Sequence, residues 1–187
     1  MRDAGLLHRD ISANNLMVNE DPDNSSWPAF LIDLDLAVRE PREGASGAEG
    51  RTGTRAFMAI GALLGEKYSF MHDLESFFWV LFWICIHYNG PGKGRPVSRF
   101  DKWNFVETEE LAETKLGIVS DQDIFSKTLS AYFMEYYQPL IPWVNQLRQV
   151  VFPNGRRWKK EDKKLYTRVT EILQAAQSSP EVMKAGN

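Results

Sequence analysis

Asp10, Asn15 and Asp33 are the residues whose types and spacing could do chemistry. Asp10 and Asn15 share the polar turn His8-Arg9-Asp10-Ile11-Ser12-Ala13-Asn14-Asn15, between the apolar Leu6-Leu7 and Leu16-Met17-Val18. Asp33 follows a second apolar run, Phe30-Leu31-Ile32. One carboxylate can orient and deprotonate a hydroxyl. An amide oxygen and a second carboxylate can hold Mg²⁺ on phosphates, so the trio suits phosphoryl transfer. Each residue also has a plainer reading. An Asp or Asn in a turn is more often a turn former, and Asp33 can simply start a loop. The fixed offset from Asp10 to Asn15 favours the chemical reading. A carboxylate facing the other two is costly to place without a cation.

The surrounding elements must bring these residues together. Leu16-Met17-Val18 and Phe30-Leu31-Ile32 are separated by the turn-rich Asn19-Glu20-Asp21-Pro22-Asp23-Asn24-Ser25-Ser26 and read as a small antiparallel hairpin. That hairpin would carry Asn15 and Asp33 at its two chain ends, on one side. Residues 39–53 are polar, rich in small residues and without periodicity, which predicts a loop. Phe77 to Ile86 is an unbroken apolar run of ten, preceded by His72-Asp73-Leu74-Glu75-Ser76. It is shorter than the roughly 18 residues a membrane span needs, and predicts a helix over 73–88, capped by Asp73 and buried on all sides. Its Trp79, Phe82 and Trp83 read as packing. Further helices are expected over 103–116, 123–137, 140–152 and 160–176, broken by Pro139, Pro142, Pro153-Asn154-Gly155 and Pro180. The fold class expected is α+β, mostly α-helical.

Bulk properties narrow the function. The 187 residues fit one domain or one lobe, and 43% hydrophobic content supports a core. A formal net charge of -3 argues against a dedicated nucleic-acid binder. Arg156, Arg157, Lys159, Lys160, Lys163 and Lys164 form a basic cluster, but the interleaved Glu161 and Asp162 favour a solvated face. Cys85 is the single cysteine, so an internal disulfide is excluded and an intracellular, cytoplasmic or nuclear, location is expected. His8, His72 and His87 lack the spacing of a zinc site. Gly90-Pro91-Gly92-Lys93-Gly94 lacks the Ser or Thr after lysine that a phosphate-cradling loop needs.

His8-Arg9-Asp10 with Asn15 resembles the H-R-D-x-x-x-x-N catalytic loop of protein kinases, and Leu31-Ile32-Asp33-Leu34-Asp35-Leu36-Ala37 falls where L-x-D-F-G-L-A would. With Gly53-Thr54-Arg55-Ala56-Phe57-Met58-Ala59 and His72-Asp73-Leu74-Glu75-Ser76, the chain most resembles the fungal-type protein kinase family. The ordered motifs cover roughly residues 1–90. The resemblance implies the C-terminal lobe of a kinase-like fold: catalytic loop 8–15, metal-binding segment 31–37, activation segment 33–61, central helix 73–88 and C-terminal helices about 101–177. It implies Asp10 as base, Asn15 and Asp33 as Mg²⁺ and nucleotide ligands, and Thr54 as an aid to acceptor orientation through Asp10. Arg9 would sit beneath the activation segment and pair with a phosphate or acid there. His8 and Asp73 would support the loop, Asp73 by bonding its backbone, and Ser46 and Thr52 would be phosphorylation sites.

Three features depart from the kinase pattern. Ser12 stands where serine/threonine kinases carry a lysine, Asp35 replaces the glycine of D-F-G, and Ala59-Ile60-Gly61 stands where A-P-E would. The glycine-rich loop and strand lysine of a nucleotide-cradling lobe are not found in residues 1–187. The expectation is therefore an ATP- and Mg²⁺-dependent serine/threonine protein kinase lobe in truncated form, with doubtful activity alone. The alternatives are an inactive kinase-like interaction module and a small-molecule kinase of the aminoglycoside or choline type. A face left open near Leu16–Val18 and Leu31–Leu36 would take a partner.

Overall fold

The computed structural model describes residues 5–21, 23, 27–39 and 53–185. It is mostly helical, with two small two-stranded sheets. In the first sheet, β1 (Leu6–Leu7) pairs antiparallel with β4 (Val38–Arg39), Leu6 opposite Arg39 and Leu7 opposite Val38. In the second, β2 (Leu16–Val18) pairs antiparallel with β3 (Ala29–Leu31), Leu16 opposite Leu31. The hairpin expected from the two apolar runs is present. Loop 8–15 runs from β1 to β2, and loop 32–37 from β3 to β4. The two ladders therefore pin both ends of one loop to both ends of the other.

The helices are α1 (Ile60–Leu63), α2 (Phe70–His87), α3 (Ser98–Asp101), α4 (Thr108–Ser120), α5 (Gln122–Tyr132), α6 (Ile141–Val151), α7 (Leu165–Gln177) and α8 (Pro180–Ala185). Helix α2 is the post around which the others pack. Trp79, Phe82 and Phe78 on α2 meet Trp103, Phe100, Phe125 and Phe152 in a wholly buried aromatic cluster, with Trp79 and Trp103 edge to face at 5.6 Å. Such side chains contribute roughly 1.5–3 kcal/mol each on burial. This cluster fixes α2, and α2 in turn carries Asp73 and Glu75 to the site.

The structure corrects three details. Helix α2 begins at Phe70, not Asp73. Its cap is Ser69, whose backbone N–H donates to His72 Nδ1 at 3.1 Å, so Asp73 is free to bond elsewhere. The helix is also not buried all round. Phe77, Leu81 and Ile84 form a stripe of partly exposed residues at helical spacing. With Leu16, α6 and α7 they line an apolar cavity of about 170 Å³. The later helices start and stop away from the expected bounds. Trp103 lies in a short 3₁₀ turn before α4, and Pro139 sits in the 3₁₀ turn Glu135–Leu140 that separates α5 from α6. Helix α5 already ends at Tyr132, where Phe133 turns extended (φ -64, ψ 132), before Pro139 is reached. Helix α5 keeps a side-chain cap, Asp121, accepting from Asp123 N and Ile124 N at 2.9 Å each.

Candidate active site

Asp10 is the centre of the site. Its Oδ1 accepts from the Thr54 backbone N–H at 2.7 Å and from the Thr54 hydroxyl at 3.0 Å. Asn15 Nδ2 donates to the Asp10 carbonyl at 2.9 Å and lies 3.4 Å from Asp10 Oδ2. Both contacts of that nitrogen are to oxygens, which orients the amide and leaves Asn15 Oδ1 as the atom able to face a cation. The Ile32 N–H donates to the Asn15 carbonyl at 3.0 Å, so Asp33 follows directly on a residue bonded to Asn15. Asp33 is exposed, with φ 61, a left-handed conformation that Asp tolerates better than most residues. Its Oδ1 lies 3.4 Å from Asp35 N.

Thr54 reaches Asp10 because Gly53 lets the chain in. Gly53 has φ 112, and a Cβ there would stand 2.7 Å from the Arg9 carbonyl oxygen. Only glycine allows both that backbone and that approach.

The loop is held from below by Asp73. Its Oδ2 accepts from His8 N at 2.8 Å, and its Oδ1 from Arg9 N at 3.0 Å and from the Tyr68 hydroxyl at 2.8 Å. Arg9 itself has φ 69. Its left-handed backbone turns two successive amides onto one carboxylate. Burial pushes the Asp73 carboxyl up, and these three donors oppose the shift. Burial, then Asp73, pushes the Tyr68 hydroxyl well up. The Arg9 guanidinium lies 5.8 Å from the Tyr68 ring centre. His8 is wholly buried and uses one tautomer twice: Nε2–H donates to the Ile32 carbonyl at 3.0 Å, and Nδ1 accepts from Asp10 N at 3.3 Å. His8 thus ties loop 8–15 to loop 32–37.

Ser12 is buried. Ser46 and Thr52 lie outside the described residues. Where a glutamate would complete an A-P-E pattern, Gly61 packs so tightly that a Cβ would meet Glu66 Oε2 at 2.3 Å and His72 Nε2 at 2.6 Å. The nearby carboxylate is Glu66, which pairs with Arg157. Glu75 and Lys115, to which sequence reasoning gave no role, are both wholly buried beside this segment. Glu75 Oε1 accepts from Ile60 N at 2.7 Å and from Trp79 Nε1 at 3.0 Å. Lys115 Nζ donates to the Met58 carbonyl at 2.6 Å and sits over the rings of Trp79 and Trp103. Burial pushes the Glu75 carboxyl up and the Lys115 ammonium down, and each charge opposes the other's shift. A sequence signal existed: Lys115 lies four residues after Leu111 and three before Ile118, on the apolar side of α4.

Among the described residues no three His, Cys, Asp or Glu side chains converge on a metal site. A cation here would have two protein ligands, Asn15 and Asp33, both hard oxygen donors. That suits Mg²⁺, which commonly takes one or two carboxylates and completes its shell with water and phosphate oxygens. Cys85 is buried, and burial pushes its thiol up, which makes it inert. Among the described residues no helix is long and apolar enough to cross a membrane.

Residues 1–85 match the family model described as fungal protein kinase. The matched stretch contains Asp10, Asn15, Asp33, Thr54 and Asp73 and ends inside α2. Over these residues the chain is similar to the fungal protein kinase family. A search of curated proteins gave no match.

Proposed function

We propose that this chain is the catalytic lobe of a protein serine/threonine kinase, transferring the γ-phosphoryl group of ATP to a protein hydroxyl. The observation that carries this reading is the pair of hydrogen bonds that the Thr54 amide and hydroxyl donate to Asp10 Oδ1. Two donors saturate that oxygen and orient the carboxylate. Oδ2 is then the atom that accepts the proton of an incoming hydroxyl as it attacks phosphorus. Asn15 Oδ1 and the Asp33 carboxylate would hold Mg²⁺. When bound, Mg²⁺ neutralises phosphate charge and aligns the transferred group. His8 and Asp73 keep the two loops in register, and Arg9 takes a phosphate or acidic group of the activation segment, with Ser46 and Thr52 as its phosphorylated positions. The kinase C-terminal-lobe assignment over residues 1–187 belongs to this reading, as does a cytoplasmic or nuclear location.

The glycine loop and strand lysine that cradle ATP are not found in residues 1–187, so transfer is expected from a form that supplies them. Met17, Phe30, Ile32 and Leu34 are exposed around the hairpin. An apolar face of this kind suits a covering lobe or partner, which is also the feature favouring an interaction module. The deciding experiment is transfer of labelled γ-phosphate by the longest product of the encoding transcript. Peptides bearing Ser, Thr or Tyr would be offered beside choline and an aminoglycoside. Transfer to Ser or Thr peptides supports the reading. Transfer only to small molecules replaces it with a small-molecule kinase, and no transfer at all leaves the interaction module.

A further inference from the structure

The segment that delivers Thr54 to Asp10 is gripped at its far end by two buried charges, one on each side of Ala59. Lys115 Nζ bonds the Met58 carbonyl, and Glu75 Oε1 bonds the Ile60 amide. The side chains come from different helices, α4 and α2. Between grip and site the hydrogen bonding is continuous. Met58 N donates to the Arg55 carbonyl at 3.2 Å, Phe57 N to the Thr54 carbonyl at 2.9 Å, and Thr54 N to Asp10. Phe57 packs edge to face on Trp83 of α2 at 5.5 Å.

A wholly buried ammonium and carboxylate are expensive, and apolar residues of like size would pack there at less cost. What a Leu or Met cannot do is bond one backbone carbonyl and one backbone amide two residues apart. We infer that Glu75 and Lys115 are positioning residues, which fix the Met58–Ile60 turn and through it set Thr54 on Asp10. They touch no reacting group. The catalytic consequence rests on the kinase reading, whereas the grip itself is a property of this fold and is tested without any transfer.

The test is amide hydrogen exchange by NMR on residues 1–187, comparing Thr54 and Ile60 with Phe82 in the core of α2. In Lys115→Met and in Glu75→Ala, exchange at Thr54 and Ile60 is expected to accelerate at least about tenfold more than at Phe82. Glu75→Gln keeps an oxygen for both the Ile60 and Trp79 donors, so it is expected to hold Thr54 exchange near the wild-type rate. Equal acceleration at all three amides means the pair serves only global stability and overturns the inference. So does loss of Thr54 protection in Glu75→Gln as large as in Glu75→Ala. If the first two variants do not fold, the wild-type chain decides: with rising denaturant, Thr54 and Ile60 must open in one common event. Separate openings overturn the grip. A wild-type chain that never transfers phosphate would defeat the proposed function and leave this result standing.

Discussion

The Thr54 amide and hydroxyl both donate to Asp10 Oδ1, at 2.7 and 3.0 Å, across a sequence separation of 44 residues. The two bonds differ in what a substitution removes. Thr54→Val keeps the amide and deletes the hydroxyl, so it should cost about 1.5 kcal/mol of unfolding free energy, the scale of one bond to a charged acceptor. Thr54→Ser should restore most of it. Urea denaturation of the three chains measures both. A Thr54→Val chain as stable as wild type would show that the hydroxyl bond contributes nothing.

Gly53→Ala should act on the same contact from the other side. The new methyl group meets the Arg9 carbonyl oxygen at 2.7 Å and must also adopt φ 112. Backbone strain alone costs on the order of 1–3 kcal/mol. The expected result is destabilisation of at least about 2 kcal/mol on that scale, with a shifted Thr54 amide resonance. A thermal midpoint and Thr54 resonance equal to wild type would contradict the tight approach.

Asp73 and Tyr68 should differ sharply under mutation. Asp73→Ala strands three donors, the His8 and Arg9 amides and the Tyr68 hydroxyl, at about 1–3 kcal/mol each when buried. Total loss of about 3 kcal/mol or more is expected on that basis. Tyr68→Phe removes donor and demand together and should cost only about 1 kcal/mol. Chemical denaturation checks the order, and equal effects would mean that the loop amides do not depend on Asp73.

Stability should fall on mild acidification through His72. Burial lowers its pKa from 6.5 to about 4, against the pull of Glu66. Between those values the unfolded chain binds a proton that the folded chain does not, so stability is lost as pH drops from 6.5 towards 4. The full loss is about 3 kcal/mol. His72→Asn keeps an acceptor for the Ser69 amide and should flatten that stretch of the stability profile. A profile unchanged by the substitution would assign the acid sensitivity to other groups.

The hairpin was legible in the sequence because two short apolar runs flanked a turn-rich loop. Its register, with Leu16 opposite Leu31, came only with the structure. The contact of Thr54 with Asp10 was legible only through resemblance, since local pattern says nothing about a contact across a sequence separation of 44. The bond of Asp73 to the loop backbone was legible through resemblance, whereas its local reading as the helix cap gave way to Ser69. A carboxylate near a helix start satisfies the same local rule whether it bonds its own amides or those of a distant loop, and Ser69 left it free for the second. The stripe Phe77–Leu81–Ile84 was hidden in a run apolar at every position, which has no preferred face to read. Glu75 and Lys115 were hidden because a charged residue in a helix defaults to solvent. Only the packing of α4 on α1 and of α2 beneath it turns both inward.

The most direct test of the account is the Mg²⁺ dependence of phosphoryl transfer with Asp33 intact and in Asp33→Ala, measured in the transfer-competent form. With Asn15 as the one remaining protein ligand, Mg²⁺-dependent transfer should be abolished, and Mn²⁺ should cease to broaden the Asn15 side-chain amide resonances of residues 1–187 in the presence of ATP. Undiminished transfer at the same Mg²⁺ concentration would contradict the metal assignment and, with it, the phosphoryl-transfer reading of Asp10, Asn15 and Asp33.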